Sequence, residues 1–122
     1  MDFKNKKIAV VGASEDQSKY GHRIFKDLVS KGYSVWPVNP RGGQILGKTV
    51  YKNLAELPSK PDLVITVVQP QVTEQIVEEC CRLNLEHIWM QPGSESEKAV
   101  SRARDYGITV TTACFMVSQQ IW

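Results

Sequence analysis

The sequence has no long hydrophobic run and little excess of charge of either sign. Its apolar stretches are far shorter than the roughly 20 residues of a membrane-spanning helix, and its first residues lack the apolar core of a secretion signal. The net charge is +2, and no stripe of lysine or arginine accompanies it, which argues against nucleic acid as a partner. We therefore expect a cytoplasmic protein that binds neither a membrane nor nucleic acid.

Cysteine is also scarce, and its spacing excludes two common uses. The chain has three cysteines, Cys80, Cys81 and Cys114, with no CxxC pair and no zinc pattern, and neighbouring cysteines are poorly placed to bridge each other. An odd number without a framework is typical of a reducing compartment, and we predict no metal site. Cys114 is the one candidate nucleophile because it follows the last predicted strand, although no sequence feature indicates a lowered thiol pKa.

What the sequence does contain is an alternation of short apolar runs with amphipathic stretches. This pattern predicts an α/β domain with a parallel sheet covered on both faces, and 122 residues suffice for one such domain, spanning 1–122. The segment after residue 111 is apolar enough to pack, but its structure is left open. The predicted strands are Lys7–Val11, Tyr33–Val38, Leu63–Val68, His87–Met90 and Ile108–Thr111; the predicted helices begin near Tyr20, at Gln71 (ending at Asn84) and at a Ser94/Glu97 capping box (ending near Tyr106).

The first strand ends in a tight turn that favours a phosphate group. Gly12, Ala13 and Ser14 direct backbone N–H groups and the positive end of the following helix at the space above the strand, and Lys19 adds a cation. The spacing is not G-x-G-x-x-G, because Ser14 stands at the second glycine position and Gln17 at the third. By itself, the segment is equally consistent with a simple tight turn.

The end of the second strand discriminates between nucleotides. NAD-binding domains usually carry an acidic residue there to hold the ribose diol, whereas this chain has Val38, Asn39 and Pro40. Arg41 follows, and a cation beside an adenosine ribose suits a ribose phosphate. Two cofactors carry one, NADP at the 2′ position and coenzyme A at the 3′ position. A solvated loop charge explains Arg41 equally well.

The remaining strand ends add weaker indications. Val67 and Pro70 form an apolar stretch that suits an adenine ring or a pantetheine arm, although the residues alone favour a place in the sheet core for Val67. Gln91 and the backbone near Gly93 lie where a ligand could touch them.

Taken in order along the chain, these pieces resemble the CoA-binding domain family. This is the small Rossmann-like domain also found at the front of the α subunit of succinyl-CoA synthetase, and the stand-alone members are the most similar. The sequence differs from the family pattern at two places, at Pro92 and at the end of the third predicted strand. The matching pieces are Val11-Gly-Ala-Ser14, Lys19-Tyr-Gly21, Pro37-Val-Asn-Pro40, Gly47-Lys-Thr-Val-Tyr51, Pro61-Asp-Leu-Val64, Ile88-Trp-Met-Gln-Pro-Gly93 and Cys114.

The resemblance implies a Rossmann-like three-layer α/β/α fold with a mainly parallel five-stranded sheet, and it implies coenzyme A as the cofactor. The phosphates would lie over the first turn, the adenosine end at the second strand end, and the pantetheine arm beside the helix after Gly93. The cofactor-binding residues it implies are Gly12, Ala13, Ser14, Lys19, Tyr20, Val38, Asn39, Pro40, Arg41, Val67, Pro70, Gln91 and Gly93.

The expected function is therefore binding of coenzyme A or an acyl-CoA without catalysis. The synthetase reacts through a phosphorylated histidine in a separate domain, and nothing in this sequence corresponds to that domain. His22 begins a helix near the phosphate turn and could touch a ligand, while His87 is expected at an edge, so we predict no catalytic residues. The alternatives are an NAD(P)-binding relative of oxidoreductases and a ligand-free interaction subunit; the acyl group and any homo-oligomer are left open.

Overall fold

The structure is a computed structural model that describes residues 2–122. Short strands and helices alternate along most of the chain, and a single turn of 3₁₀ helix covers Leu54–Glu56. The strands are β1 (Lys7–Val11), β2 (Ser34–Val38), β3 (Gln44–Ile45), β4 (Lys48–Thr49), β5 (Leu63–Thr66), β6 (His87–Met90) and β7 (Thr109–Thr112); the helices are α1 (Tyr20–Ser30), α2 (Pro70–Arg82), α3 (Glu97–Asp105) and α4 (Phe115–Ser118).

Five strands form one sheet in the order β2-β1-β5-β6-β7, and all four neighbouring pairs are parallel. The predicted five-stranded parallel sheet is confirmed. The chain starts at β1, moves outward to β2 and then crosses to β5 on the other side of β1, so the strand order reverses between β1 and β5. In open parallel sheets, ligands bind beyond the carboxyl ends of the strands at such a reversal.

Both faces of the sheet are covered, which explains why the strands are continuous apolar runs. On one face Ile8 and Val10 of β1 pack with the buried residues of α1 and α4. On the other face Ala9 and Val11 pack with those of α2 and α3. These are the three layers implied by the family resemblance.

The helices are short and amphipathic. The longest, α2, has 13 residues and begins with Pro70 at its first position, where a missing N–H costs nothing. None of the helices formed by residues 2–122 is long and apolar enough to cross a membrane. The C-terminal segment, which the sequence left open, forms the end of β7 and then α4.

The predicted capping box at Ser94 and Glu97 is wrong. The residue that caps α3 is Ser96, whose Oγ accepts a hydrogen bond from the Ala99 N–H at 3.0 Å. Ser94 is instead buried at the end of the sheet, where its hydroxyl donates to the Gln91 carbonyl and shares a hydrogen bond with Thr66. The turn after β6 is therefore two residues longer than the capping pattern predicts. Ser94 is bonded to Gln91 and Thr66 within this turn and is not available to cap the helix.

Several element boundaries also differ from the predictions. The third strand of the sequence pattern ends at Thr66 rather than Val68, although the Val67 N–H still donates to the Val11 carbonyl at 2.8 Å. The helix after it begins one residue early, at Pro70, and ends at Arg82. The apolar residues past Thr66 therefore lie at the carboxyl edge of the sheet and not in its interior.

The first turn of α1 lies directly against the turn after β1. A Cβ atom at Gly21 would lie 2.0 Å from the carbonyl oxygen of Gly12, and a Cβ at Gly12 would lie 2.2 Å from the carbonyl oxygen of Val67. Gly12 also has a φ of +105°. No side chain fits at either position, so β1, α1 and the end of β5 meet backbone to backbone.

We expect Gly21→Ala to lower the free energy of unfolding by about 2–3 kcal/mol, because its methyl group would push α1 off the turn. Urea denaturation followed by circular dichroism measures the loss. Gly32→Ala is the matched control: its φ is +85°, but no atom of residues 2–122 lies within 4 Å of its Cβ position, so about 1 kcal/mol should be lost. Equal losses in the two variants would show that the close approach is not what requires glycine at position 21.

Candidate functional site

The turn after β1 and the start of α1 form the centre of the candidate site. The Gly12 N–H donates to the Val38 carbonyl at 2.9 Å and so extends the pairing of β1 with β2, and the φ of +105° at Gly12 then turns the chain away from the sheet. Within residues 2–122, no side chain caps the first N–H groups of α1, and no acidic residue lies in its first turn. The positive end of this 11-residue helix is therefore not neutralised by the chain and suits an anion.

Hydrogen bonds inside the turn hold its shape. The His22 ring nitrogen Nδ1 lies 2.8 Å from the Ser14 carbonyl oxygen, and Ser14 Oγ accepts the Asp16 N–H at 3.1 Å. Hydrogen bonds from the Ser18 hydroxyl and N–H lower the pKa of the Asp16 carboxyl. His22 is 8% exposed, so it braces the turn from behind instead of facing the ligand side.

A groove of about 530 Å³ separates this turn from the loop after β2. Asn39 ties the two together: its Nδ2 donates to the Ala13 carbonyl at 3.0 Å, and its Oδ1 accepts the Arg41 N–H at 3.0 Å. Arg41 is exposed on one wall and takes part in none of the three ion pairs found among residues 2–122. The groove thus offers a cation that the fold itself does not use.

A shallower groove of about 320 Å³ lies between the ends of β5 and β6. Val67 and Val68 supply an apolar wall on one side, and Pro92 and Gly93 supply the other. The two grooves lie on opposite sides of the Gly12 turn. Together they outline a path across the carboxyl ends of four parallel strands.

Gln91 lies beneath this path rather than on it. Its side chain is fully buried, its Oε1 accepts the Phe115 N–H at 2.6 Å, and its Nε2 donates to Cys114 Sγ at 3.6 Å. Both polar atoms of the side chain are bonded within the fold. Gln91 therefore contacts the edge of the site only through the sulfur of Cys114.

Cys114 lies at the carboxyl edge with its thiol among polar groups. The Tyr20 hydroxyl lies 3.8 Å from its sulfur, so Tyr20 and Gln91 both contact this thiol. Burial raises the pKa of the Cys114 thiol, but hydrogen bonds from the Val117 backbone, from Gln91 and from Tyr20 outweigh this effect. The net pKa is lowered, which places a more acidic thiol at one end of the path.

Cys80 and His87 are held within the fold and away from the path. Burial raises the pKa of Cys80, which lies on the buried face of α2, to about 12. His87 begins β6 at the amino edge of the sheet, where desolvation lowers its pKa and its Nε2 lies 3.1 Å from Thr111 Oγ1. A groove of about 460 Å³ also lies at that edge, but the helices that follow the strands direct their N-termini to the opposite edge.

All of the sequence-predicted site residues lie at the carboxyl edge of the sheet or directly beneath it, and their contacts with a ligand stay predictions. Sequence reasoning missed Glu15, whose Oε1 accepts the Gln44 N–H at 2.6 Å across the larger groove. A single carboxylate in a polar loop carries no pattern, and its partner lies 29 residues away. It also missed the contact of Tyr20 and Gln91 with one thiol, because the three residues come from different elements.

Comparison with known proteins places this geometry in a family. The family model described as a CoA binding domain matches residues 6–120. The alpha subunit of ADP-forming acetate–CoA ligase I from Pyrococcus furiosus is 33% identical in an alignment of 124 positions. The alignment covers 88% of this chain and 27% of the subunit. The chain thus spans about a quarter of that relative. YneT of Bacillus subtilis is 29% identical over 88% of this chain and 79% of its own length.

A solved structure shows the same fold at nearly the same length. A conserved hypothetical protein from Pyrococcus furiosus superimposes on this chain with a TM-score of 0.89 at 40% identity, covering 93% of this chain and 98% of that one.

The environment of Cys114 predicts a difference in thiol reactivity. Because the pKa of Cys114 is lowered and that of Cys80 is raised to about 12, iodoacetamide should alkylate Cys114 first, with a pH midpoint below that of a free cysteine. Mass spectrometry of the peptides across a pH series measures this order. Tyr20→Phe removes one hydrogen bond to the sulfur and should move the midpoint upward. An unchanged midpoint would show that the Tyr20 hydroxyl does not stabilise the thiolate.

Proposed function

The chain belongs to the CoA-binding domain family, and we propose that it binds coenzyme A or an acyl-CoA as a small protein without catalytic activity of its own. One observation carries the proposal. The uncapped N-terminus of α1, the Gly12–Ser14 turn and the unpaired Arg41 open on the same edge of the sheet, so a single extended anion can contact all of them.

The pyrophosphate of coenzyme A suits the Gly12–Ser14 turn. A phosphate over this turn would meet backbone N–H groups, and the dipole of the uncapped α1 favours its charge. The Ser14 hydroxyl can still donate, since Oγ acts only as an acceptor toward the Asp16 N–H. Lys19, at the N-cap of α1, adds an exposed cation beside the turn.

The adenosine end suits the larger groove. A 3′-phosphate on the ribose would pair with Arg41, which lines this groove. The buried Val38 and the rigid Pro40 flank the lining residue Asn39 and would support the wall that borders the base. NAD fits less well, because the Asn39 amide is already bonded to Ala13 and to the Arg41 backbone and cannot serve as the carboxylate that holds a ribose diol. The pantetheine arm would then cross the apolar wall at Val67 and Val68 toward Gly93.

The proposal of a non-catalytic role depends on the positions of the histidines. His22 is held by the Ser14 carbonyl behind the turn, and His87 lies at the opposite edge of the sheet. The side-chain partners of the Cys114 sulfur within residues 2–122 are Tyr20 and Gln91 rather than a histidine, and the ligase relative carries about three quarters of its chain outside the matched region. An NADP-binding oxidoreductase relative, a ligand-free interaction subunit, a cytoplasmic location and a homo-oligomer stay open predictions.

Titration calorimetry with coenzyme A and dephospho-CoA tests the adenosine end. If Arg41 binds the 3′-phosphate in a charge-assisted contact, coenzyme A should bind about tenfold tighter than dephospho-CoA. Arg41→Ala should bring this ratio close to one, whereas Arg104→Ala, which removes an exposed cation from α3, should leave it unchanged. Binding of NAD with no response to coenzyme A would contradict the proposal.

Lys19→Ala tests the phosphate turn. The Lys19 side chain makes no capping hydrogen bond to α1, so its removal should not disturb the fold. We expect coenzyme A and dephospho-CoA to lose affinity alike, by about 3–10-fold at low salt, because both carry the pyrophosphate. Lys26→Ala, further along α1, is the control. Substitutions of Gly12 cannot serve here, since any Cβ would lie 2.2 Å from the Val67 carbonyl oxygen and test folding instead. Unchanged affinity in Lys19→Ala would remove Lys19 from the site.

A further inference from the structure

Two charged side chains line the larger groove, the Arg41 guanidinium and the exposed carboxylate of Glu15. Neither belongs to any of the three ion pairs found within the described part of the chain, residues 2–122. A ligand that fills this groove therefore meets both a cation and a hydrogen-bond acceptor.

Glu15 is held in place by the loop that carries Arg41. Its Oε1 accepts the Gln44 N–H at 2.6 Å, and it packs against Gly43, where a Cβ would lie 2.2 Å from that oxygen. Gly43 has a φ of +94°, so its backbone is itself suited to glycine. Only a residue without a side chain at position 43 lets the carboxylate lie this close to the loop.

One oxygen of Glu15 remains for a ligand. The contact with Gln44 uses Oε1, and a carboxylate accepts hydrogen bonds but donates none. The group that faces Oε2 must then be a hydrogen-bond donor, since a phosphate would be repelled there. Asp16 also lines the groove, but its Oδ1 already accepts the Ser18 hydroxyl at 2.7 Å and the Ser18 N–H at 3.0 Å.

We infer that Glu15 determines which nucleotides the groove accepts: its Oε2 accepts the 2′-hydroxyl of a ribose whose neighbouring 3′-phosphate is bound by Arg41. This inference rests on the proposed binding of coenzyme A. The two groups are on adjacent carbons of one ribose, one a donor and the other an anion, and they match the acceptor and the cation that line the groove. Glu15 is thereby a specificity-determining residue that also positions the Arg41 loop.

The test compares adenosine 3′,5′-bisphosphate with its 2′-deoxy analogue, which lacks only the hydroxyl. The natural chain should bind the ribose form about tenfold tighter, as expected for a hydrogen bond to a charged acceptor. Glu15→Gln keeps an oxygen that can accept the Gln44 N–H, but it replaces the second oxygen by an amide donor. The preference for the ribose form over the 2′-deoxy form should therefore fall below about threefold. Asp16→Asn removes a charge from the same groove and should keep the preference of the natural chain.

Each result decides a different point. The inference is overturned if the natural chain shows no preference for the ribose form, if Glu15→Gln keeps the full preference, or if Asp16→Asn lowers it as much as Glu15→Gln does. In those cases binding of coenzyme A by the natural chain, measured in the same experiment, leaves the proposed function in place. If the natural chain binds neither coenzyme A nor either bisphosphate, the proposed function fails and the inference fails with it.

Discussion

The contact between α1 and the turn after β1 determines the geometry of the rest of the site. Gly21 brings the helix against the carbonyl of Gly12, and Gly12 lies in turn against the carbonyl of Val67. Three elements from different parts of the chain thus meet through their backbones alone. Because no side chain separates the three elements, the positive end of α1 lies close to the point where the strand order reverses. A phosphate bound at this point would meet backbone N–H groups instead of side chains.

Around this fixed centre, side chains on loops supply the chemistry. Arg41 and Glu15 both line one groove, Val67 and Gly93 border the other, and Cys114 lies beyond them with a thiol of lowered pKa. The backbone centre suits any phosphate, whereas the loops distinguish one phosphate-bearing molecule from another. This division explains why the glycine turn alone leaves the cofactor undecided and why Arg41 points to a ribose phosphate.

Sequence reasoning was most successful where a pattern is repeated over several residues. The parallel sheet followed from apolar runs such as Lys7–Val11, which both faces of the sheet bury, and β6 was predicted at its observed bounds. It failed where a choice depends on contacts distant in sequence. Ser94 matches a capping box through Glu97, whereas Ser96, the residue that caps α3, is followed three positions later by Ala99; the buried hydrogen bond of Ser94 to Thr66 explains why the better match is not the cap. Glu15 was missed for the same reason, since its partner lies 29 residues away, and the burial of Gln91 beneath the site could not be predicted because its partner Cys114 lies 23 residues away.

The loop after β2 is tied down at two places only a few residues apart, by Asn39 to the Ala13 carbonyl and by the Gln44 N–H to Glu15. Its conformational entropy is therefore lost when the chain folds rather than when a ligand arrives. A ligand meets walls that are already in position, so more of its contact energy appears as affinity. Association should accordingly be limited by diffusion and charge, without a slow loop closure.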